Sequence, residues 1–90
     1  MKTILLKLYI TGNNSRSQQA IYNLKRICEK ELKNEYTLEI IDILEKPQLA
    51  EDEKVFATPT LEKQLPPPIR RIIGDLSNTD RVLFGLDIVK

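Results

Sequence analysis

Apolar and polar positions along the chain follow two distinct rhythms. Ile4-Leu5-Leu6-Lys7-Leu8-Tyr9-Ile10 is a short, mostly apolar run closed by Gly12-Asn13-Asn14. A run of β-formers ended by turn residues predicts a buried strand. Ala20, Ile21, Leu24, Ile27, Cys28 and Leu32 then recur at helical spacing, with Lys25, Arg26, Glu29, Lys30, Glu31 and Lys33 interleaved. This predicts an amphipathic helix over about Ser17–Asn34, capped by the hydroxyl of Ser15 or Ser17 and stopped at Asn34. Tyr36–Leu44 returns to a strand pattern, with Leu38, Ile40, Ile41 and Ile43 apolar and Thr37, Glu39 and Asp42 polar. Two strands joined by a long helix form a βαβ unit, with parallel strands and a right-handed crossover.

Beyond Leu44 the rhythm breaks. Pro47 opens a short helix through Leu49, Ala50 and Lys54, made acidic by Glu51, Asp52 and Glu53. Four of the five prolines fall between Ala57 and Leu76. A proline fixes φ and removes a backbone donor. Thr58-Pro59 therefore predicts a strand entered through a special turn, a setting that suits a cis bond. Pro66-Pro67-Pro68 reads as an exposed rigid spacer, a helix first turn, or both. The segment Pro68–Ile73 fits either a helix opening at proline or a strand carrying Ile69, Ile72 and Ile73. Ser77-Asn78-Thr79-Asp80 is an N-cap cluster favouring a helix over Arg81–Val89. Val82, Leu83, Phe84, Ile88 and Val89 nevertheless prefer strand, and Gly85 weakens a helix by about 1 kcal/mol relative to alanine. Local propensity leaves this half open, which is how functional or switching segments read.

Composition narrows the class. Ninety residues make one domain, 1–90, with 41% hydrophobic and 30% charged residues, as in an ordinary globular chain. A core of this size gains from self-association, so a dimer or tetramer is expected. A net charge of +1 argues against nucleic acid as a partner. The absence of histidine removes the commonest general base and transition-metal ligand. One cysteine permits no intramolecular disulfide, CxxC pair or zinc cluster, which fits a reducing, cytoplasmic location. No apolar run approaches a membrane span.

No catalytic constellation emerges. Cys28 lies on the apolar helix face and reads as a small buried hydrophobe, with no histidine to activate it. Ser15 and Ser17 lack a base. Glu51, Asp52 and Glu53 lack calcium-loop spacing and read as a solvated helix start, so no metal is expected. Gly12-Asn13-Asn14-Ser15 precedes a helix but has no Walker lysine or GxGxxG, so it reads as a turn. Arg70 and Arg71 follow the triple proline. They are either a pre-organised pair for partner carboxylates or a solvated basic pair beside a turn. Binding is thus favoured over catalysis.

The runs Leu6–Asn13, Ile41-Asp42, Pro47–Glu51, Ala57–Leu61, Leu65–Ser77 and Val82–Asp87 together resemble the KaiB family of cyanobacterial clock proteins. The Pro66–Ser77 run, Pro-Pro-Pro-Ile-Arg-Arg-Ile-Ile-Gly-Asp-Leu-Ser, is the most specific part. The resemblance implies an α/β fold with a thioredoxin-like N-terminal βαβ and a C-terminal half that switches. The ground state, often a tetramer, has the order βαββααβ; the binding-competent monomer has βαβαββα. It further implies a protein without enzymatic activity or cofactor. Such a protein binds the KaiC ATPase ring, sequesters KaiA, promotes KaiC dephosphorylation, competes with SasA and recruits CikA. Pro59 matches the cis-proline position of thioredoxin-like folds, whereas Asn13–Arg16 stands where their CxxC would be.

Residue by residue, Gly85 and Asp87 match positions that control switching, and Pro59, Pro66, Pro67 and Pro68 match bonds whose isomerisation accompanies it. Lys54, Lys63 and Arg71 match basic positions used against KaiC or in the oligomer. Gln48 and Glu51 lie in the element expected to face KaiC, with Arg70 beside Arg71. Glu39 stands where the family commonly has lysine, on the strand expected to meet KaiA, and Gln19 stands where it commonly has arginine. Charge reversal at an interface turns attraction into repulsion. The alternative implied is a divergent signalling or stress module acting on a non-standard KaiC or a histidine kinase, without KaiA.

Overall fold

A computed structural model describes residues 3–33 and 35–88. Its central strand is β1 (Ile4–Ile10), the first apolar run of the sequence. Asn14 then caps α1 (Ser15–Ile27), its side chain accepting from the Ser17 amide at 2.8 Å. The cap is therefore Asn14 rather than Ser15 or Ser17. The Ser17 N–H is one of the unpaired first-turn donors, and an asparagine one turn earlier is well placed to meet it. After Ile27 the helix widens into a π-type turn over Cys28–Leu32 and stops at Lys33, which is left-handed with φ 44°. The expected stop, Asn34, lies outside the described residues.

β2 (Tyr36–Asp42) pairs parallel with β1, from Ile4 opposite Tyr36 to Ile10 opposite Asp42. The βαβ unit is thus as the periodicity predicts, but β2 ends two residues before Leu44. The Asp42 carboxylate accepts from the amides of Gly12 and Leu44, at 3.0 and 2.9 Å, and turns the chain there. α2 (Pro47–Asp52) has Pro47 in its first turn and no side-chain cap. It stops short of the expected Lys54, because Lys54 is left-handed, with φ 56°. Glu51 and Asp52 therefore end the helix rather than start it, where the macrodipole disfavours carboxylates.

β3 (Thr60–Leu65) and β4 (Arg70–Ile73) form an antiparallel hairpin around Pro66–Pro68. The triple proline is a turn with no helix attached, and of the two alternatives for Pro68–Ile73 the strand holds, over Arg70–Ile73. Thr58-Pro59, Leu65-Pro66 and Pro67-Pro68 are cis. α3 (Thr79–Gly85) is capped by Asn78, whose side chain accepts from the Arg81 amide at 3.0 Å. It ends before the expected limit because Asp87 turns left-handed, with φ 58°; Val89 lies outside the described residues.

The order βαβαββα builds one four-stranded sheet, β2-β1-β3-β4, in which only β1 and β2 run parallel. Side chains alternate across it. Leu6, Leu8, Ile10 and Leu61 face α1 and α3 and bury against Ala20, Leu24, Ile27, Cys28, Val82 and Leu86. On the other face Tyr9, Ile41 and Val55 form a smaller cluster with Ile43, Leu49 and Ala50, so α2 covers one end of the sheet.

Candidate functional site

The residues singled out in the sequence divide between the two faces. α2 turns Leu49 and Ala50 inward and leaves Gln48, Glu51 and Asp52 exposed. The Gln48 amide donates to the Asp52 carboxylate at 2.9 Å, one turn on, which orders that outer surface. Lys54 follows, exposed. Glu39 is exposed on the outer strand β2, level with Lys7 and on the α2 side of the sheet. Lys63 and Arg70 are cross-strand neighbours on the opposite face, the side of α1 and α3. The Lys63 side chain is buried and Arg70 is exposed. Arg70 lines a shallow cleft with Leu83, Phe84, Gly85, Asp87 and Ile88.

Arg71 is separated from Arg70 by the pleat. Its side chain crosses to the α2 face, where Nε donates to Glu62 Oε2 at 2.8 Å. Its Nη1 donates to the Lys54 carbonyl at 2.9 Å and its Nη2 to the Glu53 carbonyl. Glu62 Oε1 accepts from Gln64 at 3.0 Å and, at 3.5 Å, from the Tyr9 hydroxyl. Tyr9 is fully buried, and burial together with the Glu62 charge pushes its hydroxyl up to about 12. Arg70 and Arg71 are therefore not a paired surface feature. Sequence reasoning missed Glu62 and Tyr9 as members of this network. The available signal was the hairpin itself: folding the chain about Pro66-Pro67 sets Glu62 opposite Arg71.

The positions that the family resemblance links to switching are dispersed. Pro59 is buried at the start of β3, and the Thr58 hydroxyl meets that of Thr11. Pro66–Pro68 form the hairpin tip. Gly85 ends α3 against Ile72: a Cβ added there would lie 2.7 Å from Ile72 Cδ1. Cys28 is fully buried at the far end of α1, and burial pushes its thiol up to about 12. The start of α1, where Asn13–Arg16 lie, carries no thiol. No group of side chains able to hold a metal ion occurs among the described residues, and none of their helices is long and apolar enough to cross a membrane.

A mixed sheet in the order β2-β1-β3-β4, helices on both faces and a cis proline leading into β3 define a thioredoxin-like protein. The same fold is found in the N-terminal domain of Synechococcus elongatus SasA, with a TM-score of 0.79 at 23% identity over 100% of this chain and 89% of that one. Mitochondrial thioredoxin 3 of Saccharomyces cerevisiae shares it with a TM-score of 0.75 at 17% identity, over 99% of this chain and 81% of that one. Within this fold the chain belongs to the KaiB family, whose domain model matches residues 7–88. The circadian clock protein KaiB3 of Synechocystis sp. is 65% identical over 99% of this chain and 87% of its own length. The circadian clock oscillator protein KaiB of Thermostichus vulcanus is 58% identical over 98% of this chain and 82% of its own.

Proposed function

We propose that this chain is a non-enzymatic circadian clock regulator that binds the KaiC ATPase ring through the outer surface of α2. The observation that carries the reading is the display of this element in a KaiB-family chain: Gln48 and Glu51 exposed, Lys54 beside them, and the apolar side of α2 held on the sheet. The surface is polar and bears both signs of charge, suited to a reversible contact more than to a permanent one. Once bound, the chain captures KaiA at the β2 edge, competes with SasA and recruits CikA. Glu51, Lys54 and Arg70 supply the charges for these contacts, and Lys63, buried in this form, serves self-association in the ground state. The thioredoxin-like order is the binding-competent form, and the second half converts from a βαββααβ ground state in the cytoplasm.

The test is size-exclusion chromatography with and without ATP-loaded, phosphomimetic KaiC. Co-elution with the ring supports the reading, and separate elution at a stoichiometric excess overturns it. The second reading is a divergent module that acts on a non-standard KaiC or a histidine kinase without KaiA. Two observations favour it: identity is higher to KaiB3 than to the oscillator KaiB, and the acidic Glu39 is exposed on the outer strand. Adding KaiA separates the two. Recruitment of KaiA by the complex supports the first reading. Recruitment only after Glu39→Lys supports the second.

A further inference from the structure

We infer that Arg71 is a positioning residue that fastens the end of α2 to the sheet, rather than a contact for a partner. All three nitrogens of its guanidinium already donate within the chain, to Glu62 and to the carbonyls of Glu53 and Lys54. Three of its five N–H groups are thereby committed, so a partner carboxylate could reach the two that remain only in the orientation these bonds impose. Glu62, only 3% exposed, anchors the fork, and Gln64 and Tyr9 hold Glu62 in turn.

What the fork holds needs holding. α2 spans six residues, has no side-chain cap and buries none of its residues fully. A helix of that length has little stability of its own. Two residues past its end Lys54 is left-handed, a conformation unfavourable for lysine. Two carbonyls at this turn accept from Arg71, and these bonds reach from the outer strand β4, 17 and 18 residues away in the chain. They and the cluster of Tyr9, Ile41 and Val55 are what fix α2 against the sheet. Lysine at position 71 keeps the charge but lacks the planar fork that spans a carboxylate and two carbonyls.

The consequence for binding rests on the reading of α2 as the partner surface, whereas the fastening itself is testable in the free protein. In Arg71→Lys, exchange of the Glu53, Lys54 and Val55 amides rises about tenfold, the effect of losing one or two charge-assisted hydrogen bonds. Exchange of the Leu8 and Leu61 amides, in the centre of the sheet, stays as in wild type. Arg70→Lys changes neither. Glu62→Gln, isosteric and too buried to touch a partner, moves the same three amides in the same direction. If the three amides keep wild-type rates in Arg71→Lys, or if all amides speed up equally, the inference is wrong. Affinity for KaiC then falls in both Arg71→Lys and Glu62→Gln. A fall in Arg71→Lys alone would make Arg71 a direct contact and overturn the positioning role. Failure of the wild-type chain to bind KaiC overturns the proposed function and leaves the fastening to be judged by exchange.

Discussion

Burial decides the chemistry of single residues in this chain. The Cys28 thiol is enclosed by the first helix and the sheet, and its ionisation is pushed up to about 12 because burial penalises the thiolate, aided by the Glu29 charge. Tyr9 is raised to about 12 mainly by burial and then by Glu62. For both groups the folded state holds its proton to higher pH than the unfolded chain does. Stability is therefore fully present below the unfolded values and falls as pH rises through the window up to about 12, from 9.0 for Cys28 and from 10.0 for Tyr9. Denaturant unfolding at pH 8, 10 and 11 should show wild type losing more stability than Cys28→Ala over that range. Equal losses would mean that Cys28 is not desolvated in the fold. The same burial predicts that a thiol reagent labels Cys28 only as fast as the protein opens. Labelling at the rate of a free cysteine at pH 8 would contradict it and reopen thiol chemistry.

At the scale of elements, sequence and structure agree where one signal dominates. Apolar spacing places β1, α1 and β2, because each has a single face to bury and no competing preference. Boundaries escape it, because they are set by partners remote in sequence. Asp42 ends β2 by accepting from Gly12, 30 positions earlier, and Lys54 leaves the helical region where Arg71 holds its carbonyl. The final third is ambiguous locally since Val82, Leu83 and Ile88 suit either element. Asn78 decides for helix by capping, and the choice is stabilised by burial of Val82 and Leu86. Within the candidate site, exposure of the Glu51 and Asp52 carboxylates was legible from the helix pattern, whereas Gln48 came only from the family resemblance. The separation of Arg70 from Arg71 was not, since helix and strand were both open there. Gly85 illustrates two levels in opposition. Alanine would gain up to about 1 kcal/mol of helix propensity. Its Cβ would also press the Ile72 side chain, 2.7 Å away, out of its rotamer, at a cost of about 0.5–1.5 kcal/mol. Gly85→Ala alone should thus change stability little. In an Ile72→Ala background, which removes both the obstructing Cδ1 and the Cγ1 that would lie 3.0 Å away, the same change should stabilise by about 1 kcal/mol more than in wild type. A double-mutant cycle by denaturant unfolding measures this coupling, and additive effects would show that Ile72 does not oppose the alanine.

Taken whole, the molecule is secured unevenly, and this bears on the proposed change of fold. β1 is bonded along its length to β2 on one side and to β3 on the other, and α1 buries five of its residues deeply enough to seal that face. The second half has weaker holds. β4 has a sheet partner on one side only, α2 buries no residue fully, and α3 buries only Val82 within the helix. Phe56, Ile69, Ile73 and Phe84, all in this half, remain largely exposed, so much of its apolar surface gives no stabilisation in this arrangement. A rearrangement that kept β1, α1 and β2 and rebuilt the rest would have to re-bury Leu61, Leu76, Val82 and Leu86, and would offer the exposed side chains a new place to bury. Hydrogen exchange should therefore show two tiers. The amides of β1 and α1 should exchange only by global unfolding, with the full dependence on denaturant. Those of β4 and α3 should exchange through a partial opening, with a free energy several kcal/mol lower and a smaller denaturant slope. A single tier, with α3 and β1 opening together, would show one cooperative unit. The chain would then have to unfold completely to reach a second fold, and the partition between a fixed and a rebuilt half would have no physical basis in this protein.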